Sequence, residues 1–456
     1  MQEYARAIEE ISITNVGRHR SALAQTAPIR LAQLQGATPL FPRLDRLSIR
    51  EKSSVLSRGI SYHVLPMFLS PALTSLSITG VGGSRRASAV VSFLGMLGPQ
   101  KTVSKLSLGG FSLSPALVKA IVSCGEVNWL ELTDVTGTIN QPSLHTLFSM
   151  PSLTHITFHT KILEYFASES VENLLPGSTR LSELHLTGPF TLVSEWTKYF
   201  SGRCDLQKLH MHIITTNATA NQTANKILKQ KPTQYAKPSP VAIATFIEKA
   251  IPAWQHSLLT FIMVIDYAFH HYALPPTLLD AFSGYTLLET LTITIPLHDT
   301  NLALQKNMAH WPSLTYLHLP RSNLDCTVSM ETLHHLAEHC PCLASLRILI
   351  QGPEDDPFSD IASQGVHFPR VHTLSVGTWP ADFGSADPPS SVQDPDQAHT
   401  TSVEQLCSIA RNLLRVFPSL HTFETQKLLS EKRWGRIKAL VDLCRDAEKY
   451  SKALSN

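Results

Sequence analysis

Two short stretches carry residue types that could do chemistry. The run HHLAEH at 334–339 places His335, Glu338 and His339 in the order H-x-x-E-H, the inverted zinc-protease signature in which two histidines hold a metal. The run GVGGSRR at 80–86 lies between a strand pattern and a helical run from Ala87 to Leu97, the setting of a phosphate-binding turn. Both fail on their own terms. Arg85 stands where G-x-G-x-x-G needs its third glycine, and no P-loop lysine follows. Helical residues turn by about 100° each, so Leu333, Leu336, Ala337 and Cys340 gather on one side and His335, Glu338 and His339 on the other. The apolar group must face a core, which sends the histidines outward. A zinc enzyme also needs a cleft and a third protein ligand, and no downstream carboxylate stands out for that role. No nucleophile elbow or supported Cys/His pair appears, so neither an enzyme nor a bound metal or cofactor is expected.

The elements that position these residues follow from one phrase, apolar-x-x-apolar-x-apolar, repeated from end to end. It appears as IEEISI at Ile8, LDRLSI at Leu44, LTSLSI at Leu73, VSKLSL at Val103, VNWLEL at Val127, LTHITF at Leu153, LSELHL at Leu181 and LQKLHM at Leu206. It continues as LLTFIM at Leu258, LETLTI at Leu288, LTYLHL at Leu314, LASLRI at Leu343, VHTLSV at Val371 and LHTFET at Leu420. First positions are mostly 24 to 30 residues apart, with one gap of 36 and two near 50. The last two apolar positions, two apart, share one face of a strand. Between the phrases lie amphipathic stretches such as SPALVKAIVSC (114–124), KILEYFASESVENLL (161–175) and TLHHLAEHC (332–340), which read as returning helices. Prolines at 42, 151, 312, 341, 369 and 418 end those helices and set up the extended chain. The period is that of leucine-rich repeats. The expected fold is therefore an α/β leucine-rich-repeat solenoid, a horseshoe of about fourteen irregular repeats, with a parallel concave sheet and helices or turns on the convex side.

Size and charge agree with a large single-chain core. The 456 residues are 43% hydrophobic and 16% charged with a net charge of only +2, which argues against an electrostatic grip on nucleic acid. The amino terminus MQEYARAIEE has no signal-peptide pattern and no apolar run reaches membrane-spanning length, so no membrane contact is expected and a cytoplasmic or nuclear location is implied. Seven cysteines without a C-x-x-C pair fit reduced, mostly buried thiols.

AEHCPCLASLRI (337–348) resembles the cysteine-containing repeat of F-box proteins, in which a buried cysteine and a proline lead into L-x-x-L-x-L. Cys124 before VNWLEL and Cys204 before LQKLHM hold similar places, and YARAIEEISI…FPRLDRLSI…FLSPALTSLSI resembles the first repeats of the fungal F-box/leucine-rich-repeat families. The resemblance implies substrate recognition for ubiquitination, with ubiquitin-ligase components as partners if an F-box exists upstream. With the first repeat at Ile8, the F-box itself is expected to be absent from this chain. The runner-up is a standalone scaffold with no ligase link. The repeats also depart from the usual pattern: where an asparagine would bond neighbouring turns stand Val81, Phe111 and Val135, and only Asn323 comes near.

The solenoid reading locates a binding face. Positions two, four and six after each first apolar residue point to the concave side. Its ends are mostly Ser and Thr: Ser75, Ser77, Ser107, Thr290, Thr292, Thr373 and Ser375. The middle strands instead offer Trp129, Glu131, His155, His159, Glu183, His185, Lys208, His210 and His212, followed by Tyr316, His318 and Arg347. These are the expected contacts with a protein partner, and His185 and His210 should stand side by side. The solenoid is expected over 1–427, with flexible insertions at about 213–240, which is basic, and 378–402, rich in Pro, Ser and Asp. A capping helix is expected over 428–456, with periodicity through Trp434, Ile437, Leu440, Val441, Leu443 and Cys444.

Overall fold

The computed structural model describes residues 7–15, 39–51, 62–80, 84–136, 138–139, 141–160, 164–165, 180–201, 204–214, 238–265, 273–319, 327–350, 359–363, 365–376, 403–425 and 431–455. Most of the two insertions, Val81 and Asn323 lie outside the described residues. The chain divides into two compact units, Met1–Tyr235 and Ala236–Asn456.

The first unit contains β1 (Glu10–Asn15), β2 (Arg46–Glu51), β3 (Ser75–Thr79), β4 (Lys105–Gly109), β5 (Trp129–Thr133), β6 (Thr138–Ile139), β7 (His155–His159), β8 (Glu164–Tyr165), β9 (Glu183–Gly188) and β10 (Lys208–Ile213). Its main ladder is parallel in the order β1-β2-β3-β4-β5-β7-β9-β10. The second unit contains β11 (Thr260–Ile265), β12 (Thr290–Ile293), β13 (Tyr316–His318), β14 (Thr327–Val328), β15 (Ser345–Ile350), β16 (Thr373–Val376) and β17 (Thr422–Thr425). Its ladder runs β11-β12-β13-β15-β16-β17, again parallel, with β14 paired to β15. Each apolar phrase leads into one ladder strand, which starts two residues after the first apolar position.

Register follows from burial. Leu47, Leu76, Leu106, Leu130, Ile156, Leu184 and Leu209 stand opposite one another on successive strands and are all buried. In the second unit Phe261, Leu291, Leu317, Leu346, Leu374 and Phe423 do the same. A slip of one residue would turn every one of these side chains to the other face, so the pattern specifies the pairing. The backbone repeats with equal regularity at each strand entrance. Thr74 and Ser75 N–H both donate to Asp45 O, Ser104 and Lys105 to Thr74 O, and Asn128 and Trp129 to Ser104 O. The same double donation recurs in the second unit, from Thr315 and Tyr316 to Glu289 O and from Ala344 and Ser345 to Thr315 O.

Returning segments vary. In the first unit they include α1 (Ser84–Leu97), α2 (Pro115–Ser123), α3 (Gln141–Phe148) and α4 (Phe190–Phe200), with a 3-10 segment at Tyr62–Phe68. The second unit has α5 (Pro240–Ala250), α6 (Thr300–Asn307), α7 (Met330–His339), α8 (Ser359–Ser363), α9 (Val403–Val416) and α10 (Glu431–Ser455), with a 3-10 segment at Pro276–Phe282. Serine caps start three of them: the hydroxyls of Ser114, Ser239 and Ser329 accept from the N–H of Leu117, Ala242 and Thr332. Gly125, at φ +73°, takes the left-handed turn that ends α2. The helix expected over 161–175 is not found at Glu164–Tyr165, which instead forms β8 and pairs with β6; the rest of that stretch lies outside the described residues. A helical apolar period is also compatible with a short strand when a neighbouring turn offers backbone partners.

Two departures from the usual repeat have local physical causes. Phe111 and Val135, standing where asparagine would, are buried, and the bonding between turns passes to other groups. Thr136 N–H donates to Phe111 O, and the buried Thr160 hydroxyl donates to Val135 O at 2.8 Å. The cysteines at the strand entrances serve the same end. Cys124 Sγ lies 3.8 Å from Leu94 O and Cys340 Sγ 3.9 Å from Met308 O, each a carbonyl one repeat earlier. Burial raises the Cys124 thiol to about 11, and burial with the neighbouring Cys342 raises Cys340 to about 12, so both are protonated donors. Cys204 is buried as well, while Cys342, Cys407 and Cys444 are half-buried, and all six described cysteines are free. The final helix, α10, packs on α9 and β17 through Ile437 and Val441, with Leu443 left 65% exposed. Among the described residues no helix is long and apolar enough to cross a membrane.

Candidate functional site

Because the apolar side chains of each ladder point one way, the alternating residues form rows across the opposite sheet face, one residue per strand. In the first unit, register aligns Lys105, Trp129, His155, Glu183 and Lys208 in one row. The side chains of this row touch in sequence. Lys105 Nζ lies 4.6 Å from the Trp129 ring centroid, a cation–π contact. The Trp129 ring stacks on His155 at 4.6 Å with 16° between planes. His155 Nε2 is 3.3 Å from Glu183 Oε1, and Lys208 Nζ donates to the same oxygen at 2.6 Å. His155 Nδ1 also meets the Thr154 hydroxyl at 2.7 Å, so both of its ring nitrogens are engaged. Burial pushes the Glu183 carboxyl up, but the Lys208 hydrogen bond, the charges of His155 and Lys208 and the His155 hydrogen bond outweigh it, leaving the carboxyl below its ordinary value.

The second row runs Ser107, Glu131, Thr157, His185 and His210. His185 and His210 stack at 4.1 Å and 14°, as their strand positions predict. Burial, followed by the charge of His185, lowers His210 to about 4, against a smaller upward pull from Glu183. Burial lowers His185 too, with Glu183 opposing and His155 and Lys208 adding. At neutral pH the pair is therefore an uncharged aromatic plate. The third row carries His159, Thr187 and His212. His159 Nδ1 is 3.8 Å from Asp134 Oδ1, on a residue with φ +48° just beyond β5.

Sequence reasoning missed Lys105 and Asp134. Lys105 was legible, because it stands two residues after Val103, the position that singled out Trp129 and Glu183. Asp134 lies past its strand and no spacing rule points to it.

In the second unit the row equivalent to that of His185 reads Ile262, Thr292, His318, Arg347, Ser375 and Glu424. Tyr316 precedes His318 on the same face and packs edge-on to it at 6.4 Å. Burial and then the Arg347 charge lower His318 to about 4. Ser107, Thr292 and Ser375 stand in these rows by register and are only 7%, 6% and 2% exposed.

The metal-like trio of α7 behaves differently. His335, Glu338 and His339 bring their ligand atoms within 4.8 Å of one another, on the helix side away from the buried Leu333 and Leu336. Glu338 lies 3.1 Å from His334 Nε2 and 3.4 Å from His335 Nδ1, and its side chain is 54% exposed.

No protein-family model and no curated protein matches the chain. Among solved structures it is similar to a leucine-rich-repeat protein of Leptospira interrogans, at 12% identity and a TM-score of 0.44, covering 97% of this chain and 96% of that one. The two ladders, their register and their buried leucines establish an α/β leucine-rich-repeat solenoid on their own. Repeat solenoids present extended faces, and their side-chain rows distinguish one from another.

Proposed function

We propose that this chain binds another protein through its sheet face, with the row Lys105, Trp129, His155, Glu183 and Lys208 as the centre of contact. The observation that carries the reading is the unbroken chain of side-chain contacts along that row. Interface energy concentrates in a few aromatic and charged residues. Side chains already held by their neighbours lose less freedom on binding, so a prearranged row is a better contact than a loose one. His185 and His210 extend it as a flat apolar plate, with Glu131, His159 and His212 at its border.

Within this reading the narrower role is substrate recognition for a ubiquitin ligase. It is supported by the resemblance of the cysteine-containing repeats, whose buried Cys124 and Cys340 tie each strand entrance to the repeat before it. The alternative is a standalone scaffold. The test is affinity capture from source cells with wild-type chain and with a Trp129→Ala, His185→Ala, Glu183→Lys variant whose folding is verified by circular dichroism. Loss of the captured partner supports the site, whereas equal capture by the folded variant removes it. Absence of the ligase linker protein from the captured material would remove the narrower role alone.

A further inference from the structure

The sheet face of the second unit holds a cation that its own surroundings leave unmatched. Arg347 stands in the second row of β15, flanked in register by His318 on β13 and Ser375 on β16. Its Nε is enclosed without an acceptor, and so is the hydroxyl of Ser375 beside it. The residue as a whole is half-buried, neither sealed from solvent nor freely exposed. Along this row the acidic position is Glu424, two strands away, at about twice the 4.8 Å strand spacing. In register His318 stands beside Arg347, Tyr316 packs edge-on against His318, and Ser345 and Thr373 continue the first row with hydroxyls. The neighbourhood offers hydroxyls and rings but no carboxylate within a strand spacing along the row. In the first unit, by contrast, Glu183 is met by the Lys208 ammonium on one side and the His155 ring on the other.

We propose that Arg347, framed by Tyr316 and His318, is a carboxylate-binding site that receives an Asp or Glu side chain of a protein partner. The inference rests on the reading of the sheet face as a protein-binding surface and adds the chemistry of one contact. A guanidinium presents a planar fork of donors, and a carboxylate is the group whose two oxygens match that fork. An ammonium or an amide partner would leave the Arg347 charge unmet.

The test is selection from a displayed library of random twelve-residue peptides on the full chain, run in parallel on wild type, Arg347→Gln and Trp129→Ala. Enrichment of Asp and Glu in the wild-type and Trp129→Ala pools, lost in the Arg347→Gln pool, is expected. Fluorescence anisotropy of a recovered acidic peptide should weaken by at least about tenfold with Arg347→Gln, the loss of one charge-assisted contact. Arg347→Lys, which keeps the charge and loses the fork, should fall between. Equal acid content in the wild-type and Arg347→Gln pools, from variants with unchanged thermal melts, would overturn the carboxylate site. Peptides that depend on Trp129 but not on Arg347 would overturn it too and leave the protein-binding reading standing. Peptides that depend on neither residue would remove both.

Discussion

The first unit engages Glu183 from both flanking strands of its sheet face, while among the described residues Arg347 on the second unit's face has no carboxylate partner. Both faces are built on the same parallel ladder with the same burial rule, so the difference lies entirely in which residues occupy equivalent rows. Where Glu183 sits between His155 and Lys208, its carboxylate is engaged from both flanking strands. Where Arg347 sits between His318 and Ser375, no carboxylate is within a strand spacing along the row. A scaffold can thus use one row for shape and another for chemistry.

The ladder itself is built alike in the two units. Leu184 and Leu346 occupy matching positions and are fully buried. Replacing either with alanine should cost roughly 2–5 kcal/mol, the transfer term plus the cavity left behind. Urea denaturation of the two variants checks this. A cost near zero in one unit only would mean that the two ladders are not packed alike, and the contrast between their faces would lose its common frame.

A smaller effect separates shape from chemistry by pH. His210 and His318 are both held near 4, below the roughly 6.5 of an unfolded histidine. Between those values the unfolded chain binds more protons, so stability is complete above about pH 6.5 and falls as the pH drops toward 4. Both rings remain partly in contact with solvent, which reduces the size of the effect. His210→Phe keeps a ring against His185 and removes the titration. Its denaturation midpoint should change less between pH 7 and pH 5 than that of wild type, and a parallel change in both would show that the stacked pair carries no such linkage.

Glu183→Gln should cost about 1 kcal/mol, since a neutral amide loses its charge-assisted bond from Lys208 at a half-buried position. The wild-type carboxyl titrates below its ordinary value, so its contribution is present above about pH 4.3 and disappears as the pH falls through the lowered value. The glutamine variant should lack that acid-dependent loss. If the two proteins have the same stability from pH 7 to pH 3, the row is held by stacking alone.

The ladder was legible because its cause is local. Each phrase carries its own period-two burial pattern, and Leu76, Leu130 or Leu317 could be assigned inward without knowing any neighbour. Contacts between strands were legible only where register was enough, as for His185 beside His210. The shared oxygen of Glu183 required knowing how two flanking side chains reach, and the enclosure of Arg347 Nε and Ser375 depends on what closes over them from adjacent repeats. Glu164–Tyr165 was misread for the same reason, since its apolar pattern suited a helix and its partner strand, Thr138–Ile139, lies 26 residues earlier.

The smallest effect is expected at α7, and it sharpens the comparison by adding a third arrangement of the same residue types. Glu338 meets His334 and His335, as Glu183 meets His155, but on an exposed helix surface instead of a half-buried sheet. Water competes for both sides of each pair there, so exposed ion pairs of this spacing contribute only a few tenths of a kcal/mol. Glu338→Gln should therefore shift the denaturation midpoint by no more than about 0.5 kcal/mol and leave the acidic-peptide selection on Arg347 unchanged. A loss comparable to that of Glu183→Gln would mean that exposure does not divide the two histidine–glutamate clusters, and burial would no longer explain why one row is rigid. An unchanged midpoint together with a lost peptide pool would move the anion-reading surface from the sheet to the helix side of the second unit.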